Sequence, residues 1–231
     1  MKHAAINRRT VLAGLAATAA PLLAGAADSP LAHGVLANNR LAQAFKPAPQ
    51  SRLPDVPLVG LHGEFSIDTL KGRTILMPLW AEWCAPCLSE IPDFARLHKK
   101  FSNAKFIIVP VLTSTMKQFT PSDIGRVFTV LHAEALPPVM EKNLGSRLAR
   151  TMGRQGDSYA LPCNLLIGPD GTVIGREIGR ISAADASDGP VPQKSPDPET
   201  VTRAINGQAQ SEWGKADGEE FARAMADGFL G

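Results

Sequence analysis

The sequence predicts an α/β fold in which a central mixed β-sheet carries helices on both faces. Two uninterrupted apolar runs, at residues 74–80 and 106–112, have the length and composition of strands buried on both faces. Amphipathic stretches with helical spacing alternate with these runs, and a Gly-Pro-Asp-Gly turn at residues 168–171 joins two further strands. Because alternating strands and helices form parallel pairs, we expect a parallel centre and an antiparallel hairpin at one edge.

The elements follow one another in a single domain at residues 57–231, which ends in a C-terminal helical extension. Residues 27–56 precede it and predict a linker or loosely packed arm. The predicted strands are residues 58–61, 64–67, 74–80, 106–112, 163–167 and 172–178, the first two forming a hairpin. The predicted helices are residues 87–101, 122–135 with Ser122 as the N-cap, 140–152, 199–205 and 219–229. Residues 181–197 are rich in Pro, Ser, Asp and Gly and predict a loop.

The charge of the chain is close to balance. The formal net charge is +2, and residues 1–26 contribute Lys2, Arg8 and Arg9 without any acid. Without those three cations, the remaining chain carries a net charge of −1. A chain this close to neutral lacks the basic surface that nucleic acid requires, so nucleic acid is excluded as a partner.

Residues 1–26 have the three-part layout of an export signal. A positive region that ends in Arg8-Arg9 precedes an uncharged, Ala- and Leu-rich run, and Ala24-Gly25-Ala26 offers a small-residue cleavage site. The paired arginines before an apolar run are similar to a twin-arginine signal. We therefore expect a periplasmic protein, with an uncleaved N-terminal membrane anchor as the alternative. Disulfides persist in that compartment.

A Cys-x-x-Cys motif lies between a predicted buried strand and an amphipathic helix, in the stretch Trp83-Cys84-Ala85-Pro86-Cys87. Cysteines three residues apart in a first helical turn lie within reach of a disulfide. The free N–H groups and the dipole at the helix N-terminus favour a thiolate on Cys84, and the thiolate is the reactive form. Pro86 falls in the first turn, where its missing N–H costs nothing.

Three other interpretations of the two cysteines stay open. A structural disulfide that closes so short a loop stabilises by only roughly 2 kcal/mol. Zinc needs about four ligands, whereas Cys163 is the only other thiol and the five histidines form no H-x₃₋₅-H pair. Copper(I) requires fewer ligands, so two thiolates and a third soft ligand would suffice.

The residues around this motif resemble the TlpA-like branch of the thioredoxin superfamily. The resemblance rests on Gly72-Arg73-Thr74, on the run from Trp80 through Cys87, and on Glu90-Ile91-Pro92, and it extends more loosely over residues 58–179. It implies a thioredoxin-like fold and an exported thiol:disulfide oxidoreductase. Members of this branch include the exported reductases that serve cytochrome c maturation.

The resemblance also assigns roles to residues of the motif. It implies that Cys84 attacks a substrate disulfide and that Cys87 resolves the mixed disulfide. Glu90 matches the active-site glutamate of the family, and its spacing places it on the helix face of Cys87, where it could take up a proton. Trp83 would shield the two cysteines.

A second group of residues matches the cis-proline loop of the family. Pro162 stands at the cis-proline position, and the resemblance implies that it packs against the disulfide. The backbone of Leu161 would then pair with an extended segment of the substrate. Cys163 follows, where the family more often has threonine. It is interpreted as a small buried apolar residue, with a third thiol that perturbs the pair as the alternative.

The predicted strands also depart from the family and from strand chemistry. Pro78 occupies the position at which cytosolic thioredoxins carry a buried aspartate, which leaves Glu90 as the obvious proton acceptor. Pro78 and Pro110 both lie inside predicted central strands, where proline removes a ladder donor.

These observations together predict an extracytoplasmic protein-disulfide reductase. Its substrates would be exported proteins with cysteine pairs, for example during the assembly of cytochromes or copper sites. A reductase in an oxidising compartment needs a membrane thiol-relay partner as electron donor. No organic cofactor is expected beyond the Cys84–Cys87 disulfide, since no Gly-rich phosphate loop follows a strand. The alternatives are a copper metallochaperone or binding module that uses the same cysteines, and a thiol oxidase.

Overall fold

The structure is a computed structural model that describes residues 29–115, 118–179 and 211–230. The export signal predicted at residues 1–26, the loop at 181–197 and the helix at 199–205 lie outside the described residues. Within those three described ranges, no helix is both long enough and apolar enough to cross a membrane.

An eight-stranded sheet forms the centre of the molecule. Its strands are β1 (Leu58–Gly60), β2 (Gly63–Phe65), β3 (Thr74–Ala81), β4 (Phe106–Ile108), β5 (Val111–Ser114), β6 (Val139–Glu141), β9 (Cys163–Ile167) and β10 (Val173–Ile178). The strand order is β10-β9-β3-β5-β6-β1-β2, and β4 pairs with β3. Strands β3 to β6 form parallel pairs, and the antiparallel β9–β10 hairpin lies at one edge, as predicted. A separate hairpin joins β7 (Arg154–Gln155) to β8 (Ser158–Tyr159).

Helices lie on both faces of this sheet. They are α1 (Arg40–Ala44), α2 (Ala85–Phe101), α3 (Pro121–Val130), α4 (Arg147–Met152) and α5 (Ala216–Asp227), with short 3₁₀ turns at Gly34–Leu36, Ile67–Leu70 and Glu212–Gly214. Successive residues of the fully buried strand β3 enter two different apolar cores. Trp80 belongs to the core built with Phe94 of α2, whereas Leu79 belongs to the core built with Met152 of α4. The predicted α/β class is therefore confirmed.

Two prolines interrupt the centre of the sheet at the same level. The β3–β4 ladder ends at Leu76 and the β3–β5 ladder begins at Leu79 in the same register. Continuing that register sets Pro78 beside Pro110, which lies between β4 and β5. Since proline has no N–H to donate, the pairing of β3 with this neighbour is interrupted at the two prolines, and it is kept on either side of them.

Helix α3 begins earlier than the sequence predicts. Thr120, not Ser122, is its N-cap: the Thr120 hydroxyl accepts the Asp123 N–H at 3.3 Å, and the Asp123 carboxylate accepts the Thr120 N–H at 2.8 Å. These reciprocal bonds form a capping box, and Pro121 fits the first helical position. The helix also ends at Val130 instead of extending to residue 135. The predicted N-cap and C-terminus of this helix are therefore wrong.

The capping box supplies a test of this correction. Thr120→Ala is expected to lower the free energy of unfolding by about 1 kcal/mol, because an amide N–H at the helix start loses its acceptor. The exposed Ser122 makes no such bond, so Ser122→Ala is expected to change the stability by less than about 0.5 kcal/mol. Urea denaturation of both variants measures the difference. A larger loss in Ser122→Ala than in Thr120→Ala would contradict the assignment.

The segment at residues 140–152, predicted as one helix, contains a strand and a shorter helix. Strand β6 pairs in parallel with β5, and α4 starts only at Arg147. The buried Glu141 carboxylate explains the break, because it accepts the N–H of Arg147 at 3.0 Å and that of Leu148 at 2.8 Å. Because Glu141 belongs to β6 and caps the start of α4, the chain must turn between the strand and the helix.

The described part of the predicted arm packs against the domain. Leu31, Leu41 and Phe45 are fully buried, and the Phe45 ring stacks on Phe221 of α5 at a centroid distance of 5.5 Å. Lys46 then forms an antiparallel bridge to β10. The expectation of loose packing is wrong here, because apolar side chains at these spacings find a partner surface in the C-terminal extension.

Candidate active site

The local chain path places Cys84 at the carboxyl end of β3. The strand ends at Ala81, and the Cys84 N–H donates to the Ala81 carbonyl at 3.0 Å. Cys84 is the N-cap of α2, and its own carbonyl accepts the Leu88 N–H at 3.0 Å. Pro86 lies in the first turn of this helix, as the sequence predicts. Strand β3 thus runs directly into α2, and the cysteine motif lies at the edge of the sheet formed by the carboxyl ends of its parallel strands.

Cys84 and Cys87 form a disulfide with a Cα–Cα distance of 5.3 Å. Cys84 is 4% exposed and Cys87 is 2% exposed. The Cys84 Sγ atom accepts the Cys87 N–H at 3.3 Å, which is the bond that an N-cap side chain makes. In the reduced protein, the same amide and the helix dipole stabilise negative charge on Cys84.

The Leu161–Pro162 loop lies at the same sheet edge. The peptide bond between these residues is cis. Cys163 pairs with Leu79 of β3, and continuing this antiparallel register sets Pro162 opposite Trp80, near the strand end that leads to Cys84. Pro162 is buried, its carbonyl accepts the Gly179 N–H at 3.0 Å, and Leu161 is half-buried. The structure therefore brings the proline loop and the disulfide to one edge of the sheet.

Glu90 and Trp83 are the remaining predicted neighbours of the disulfide. Glu90 follows Cys87 by three residues in α2, so the two side chains lie on one face of the helix, and Glu90 is 2% exposed. Trp83 is half-buried and packs against the apolar core that contains both cysteines. The placement fits the predicted roles of these residues, which stay predictions.

Glu82 is a neighbour of the motif that the sequence did not single out. The Thr115 hydroxyl donates to the Glu82 carboxylate at 2.8 Å, and Glu82 is 8% exposed. Thr115 directly follows β5, so this bond joins the loop before Trp83 to the neighbouring strand. It restrains the path of the chain into the active-site helix.

The Cys163 thiol is fully buried beside the proline loop. Burial and, to a lesser extent, the nearby Glu177 carboxyl raise its pKa to about 12, and Arg176 partly offsets this rise. A thiol with this pKa is almost entirely protonated at neutral pH and is a poor nucleophile. The geometry therefore favours the interpretation of Cys163 as a small buried apolar residue.

A buried polar pair lies on the strands next to Pro78. Asn164 is directly opposite Pro78 on β3 and opposite Glu177 on β10. The Asn164 amide donates to the Glu177 carboxyl at 2.7 Å, and both residues are at most 2% exposed. Burial raises the pKa of Glu177 to about 8, an effect that the bond from Asn164 partly offsets. The sequence signal for this acid was its inward position in the alternating strand β10.

Within the described ranges, no group of three or more His, Cys, Asp or Glu side chains is arranged to hold a metal ion. Cys84 and Cys87 are joined to each other, and Cys163 lies in the second apolar core with Leu79.

A thioredoxin-like sheet, a disulfide at a helix N-terminus and a cis-proline loop at the same edge define a thiol–disulfide oxidoreductase.

Comparison with known proteins agrees with this class. The model of the AhpC/TSA family matches residues 46–176, which is more than half of the chain, and the chain belongs to that family. It is 27% identical over 160 residues to the thiol-disulfide oxidoreductase ResA of Bacillus thuringiensis, covering 68% of this chain and 83% of ResA. A shorter match to the thioredoxin-like protein YneN of Bacillus subtilis is 35% identical over 65 residues, 28% of this chain and 38% of YneN.

The chain also aligns with solved structures. A thiol:disulfide interchange protein of the thioredoxin family from Chlorobium tepidum aligns with 69% of this chain and 96% of its own length, at 22% identity and a TM-score of 0.44. The pneumococcal exposed lipoprotein thioredoxin Etrx1 aligns with 67% of this chain and all of its own, at 18% identity and a TM-score of 0.45.

Proposed function

We propose that the protein reduces disulfides in other exported proteins through the Cys84–Cys87 dithiol. The observation that carries this proposal is the position of Cys84 as N-cap of α2, with its sulfur on the Cys87 amide. This placement lowers the free energy of a Cys84 thiolate and buries the partner thiol behind it. The ResA relatives are named thiol-disulfide oxidoreductases, which supports the same chemistry.

The reaction consists of two exchange steps. The Cys84 thiolate attacks one sulfur of the substrate disulfide, which forms a mixed disulfide and expels the other substrate sulfur as a thiolate. Cys87 then loses its proton and attacks the Cys84 sulfur, which releases the second substrate thiolate and leaves the Cys84–Cys87 disulfide. The substrate gains two electrons and its thiolates take up two protons, whereas the enzyme loses the same two electrons. We assign Glu90 as the group that accepts the Cys87 proton.

The proline loop provides the binding surface for the substrate. The Leu161 backbone would hydrogen-bond to an extended substrate segment, as an added strand does at a sheet edge. Pro162 and Trp83 would line the surface on either side of the disulfide. The substrates are proteins with cysteine pairs, such as those used in cytochrome or copper-site assembly, and a membrane thiol relay would re-reduce Cys84–Cys87.

Export of the protein is inferred from its N-terminal sequence. Residues 1–26 would direct the chain across the membrane, and residues 27–231 would form the periplasmic protein. Determining the N-terminal residue of the protein recovered from the periplasmic fraction tests this division. Full-length protein retained in the membrane would indicate the uncleaved anchor instead.

The reduction potential of the disulfide tests the direction of electron flow. We expect a potential near or below about −220 mV, in the range of reducing members of the superfamily. The protein would be equilibrated with glutathione buffers, and the redox state read from the fluorescence of Trp80 and Trp83. A value near about −120 mV would make the protein a thiol oxidase. Stoichiometric Cu(I) binding that Cys84→Ser abolishes, without reduction of protein disulfides, would indicate a metallochaperone.

A further inference from the structure

The connection from β6 to β9 passes along the edge of the sheet that carries the disulfide. Strand β6 is parallel to β3 through β5, so it ends at the edge where β3 leads into Cys84. Strand β9 is antiparallel to β3, so it begins at that same edge with Cys163. In the strand order, β5 and β3 lie between β6 and β9, and the connection therefore spans both.

This connection contains α4 and the β7–β8 hairpin, and it ends in the cis-proline loop. Tyr159 of β8 precedes Pro162 by three residues, which limits the separation of their Cα atoms to about 10 Å. Side chains on the hairpin thus lie within reach of a substrate segment that pairs with Leu161.

The exposed charges of the connection are mostly positive. Arg147, Arg150 and Arg154 are exposed, and Asp157 is the exposed acid of the same stretch. We call these three arginines the arginine patch. Lys142, also exposed, is engaged by the Glu64 carboxylate at 2.7 Å. Residues 27–231 carry a net charge of −1. The concentration of cations in this connection is therefore local and does not reflect an overall positive charge.

Two members of the arginine patch face a groove, and the patch forms no ion pair with a carboxylate among the described residues. Arg147 and Arg150 line a groove of about 390 Å³ with Val56 and Pro57. No described carboxylate lies within ion-pair distance of the three arginines. The buried Glu141 carboxyl interacts with Arg147 electrostatically, but its oxygens already accept hydrogen bonds from the backbone of α4.

Helix α4, which carries Arg147 and Arg150, and the hairpin, which carries Arg154, are held together and against the sheet. The Arg150 guanidinium lies 5.6 Å from the centre of the Tyr159 ring. Arg176 of β10 donates to the carbonyl of Arg154 at 2.9 Å and to that of Met152 at 2.5 Å. Because Arg154 also pairs with Tyr159 across the hairpin, these contacts keep Arg150 and Arg154 next to the strand that leads into the proline loop.

We propose that the arginine patch binds an acidic segment of the protein substrate close to its reactive disulfide. This rests on the proposed disulfide reductase function. An extended chain advances about 3.3 Å per residue, so acids three or four residues from the substrate cysteine lie ~10–13 Å from it, which is far enough to reach the hairpin from the proline loop. Exposed guanidinium groups then pair with the carboxylates and raise the local concentration of substrate.

Two peptide disulfides of equal length test the patch, one with glutamates three and four residues from a cysteine and one with glutamines at the same positions. The purified protein is expected to reduce the glutamate peptide with a kcat/KM about tenfold higher at low salt, and the ratio should fall toward one at high salt. In the variant Arg147→Gln, Arg150→Gln, Arg154→Gln, the ratio should be close to one at every salt concentration.

Controls separate the patch from general effects. Arg126→Gln removes an exposed arginine from α3, where it pairs with Asp123, and should keep the preference of the wild-type protein. The double variant Arg147→Gln, Arg154→Gln keeps the Arg150–Tyr159 contact and should lose most of the preference, even if the triple variant folds poorly. Equal reduction of both peptides by wild-type protein, or an unchanged ratio in the double variant, would disprove the role of the arginine patch in substrate binding. Neither result would contradict the reductase function. Failure to reduce either peptide overturns the reductase function as well.

Discussion

Cys84→Ser is expected to lower the rate of disulfide reduction by roughly a thousandfold or more, because it removes the nucleophile of the first exchange step. Cys84 holds the N-cap position of α2, where its sulfur accepts the Cys87 N–H. A serine hydroxyl accepts the same amide hydrogen, so the helix start and the fold are retained. Reduction of a peptide disulfide, followed by the release of free thiols, measures the loss.

Cys87→Ser should separate the two exchange steps. Cys84 still forms the mixed disulfide in this variant, but no thiol resolves it, and the substrate stays attached. Mass spectrometry under non-reducing conditions should then find a one-to-one adduct at Cys84. Cys163→Ala serves as the comparison, since a fully buried thiol with a raised pKa takes no part in exchange. Adduct formation that depends on Cys163, or full activity in Cys84→Ser, would contradict the assigned roles.

The cysteine pair was predictable because its chemistry is local. The motif residues, the preceding strand and the helix that follows are continuous in sequence, so the spacing alone places Cys84 and Cys87 in one helical turn. The cis bond at Pro162 is different in kind. Sequence statistics favour trans, and only the resemblance to a family indicated the observed cis bond.

Other features depend on contacts between distant segments. The partner of Phe45 is α5, more than 170 residues later, so no local pattern distinguishes its packed segment from a linker. The break at residues 140–152 depends on Glu141, which caps a helix it does not belong to. The predicted N-cap of α3 was wrong for a simpler reason. The sequence contains a cap signal, Thr120-Pro121, and the prediction placed the helix start two residues after Thr120.

The Asn164–Glu177 pair shows why the partner of a buried acid is hard to predict from sequence. Its position beside Pro78 follows from the pairing of three strands, which becomes visible only in the assembled sheet. A carboxyl group in such a place has a consequence for stability. Its pKa is raised to about 8 in the folded protein, mainly by burial, whereas an unfolded glutamate titrates near its ordinary value of 4.5.

The raised pKa of Glu177 predicts a loss of stability as the pH rises. Between pH values of about 4.5 and 8, the folded protein keeps the Glu177 proton and the unfolded chain has released it, so unfolding releases a proton. The contribution of this group to stability is therefore complete below the unfolded pKa and is lost as the pH rises toward the folded one. The loss amounts to a few kcal/mol, since each pKa unit corresponds to about 1.4 kcal/mol.

Glu177→Gln should remove most of this pH dependence. The Asn164 Oδ1 atom has no hydrogen-bond donor among the described residues, and it lies next to the carboxyl group that Asn164 itself contacts. A protonated Glu177 can donate to that oxygen, and the amide of a glutamine at the same position can do so at every pH. The variant therefore keeps both bonds without an ionisable group.

Urea denaturation at pH 5 and pH 8 measures the effect. Wild-type protein should lose a few kcal/mol between these pH values, whereas Glu177→Gln should lose clearly less. Glu64→Gln is the matched control, because Glu64 is an exposed glutamate of β2 whose pairing with Lys142 contributes little. Equal pH slopes in wild-type and Glu177→Gln protein would show that Glu177 is ionised in the folded state throughout this range. The carboxyl group would then have to be stabilised by solvent that reaches the Asn164–Glu177 pair, in conflict with its burial.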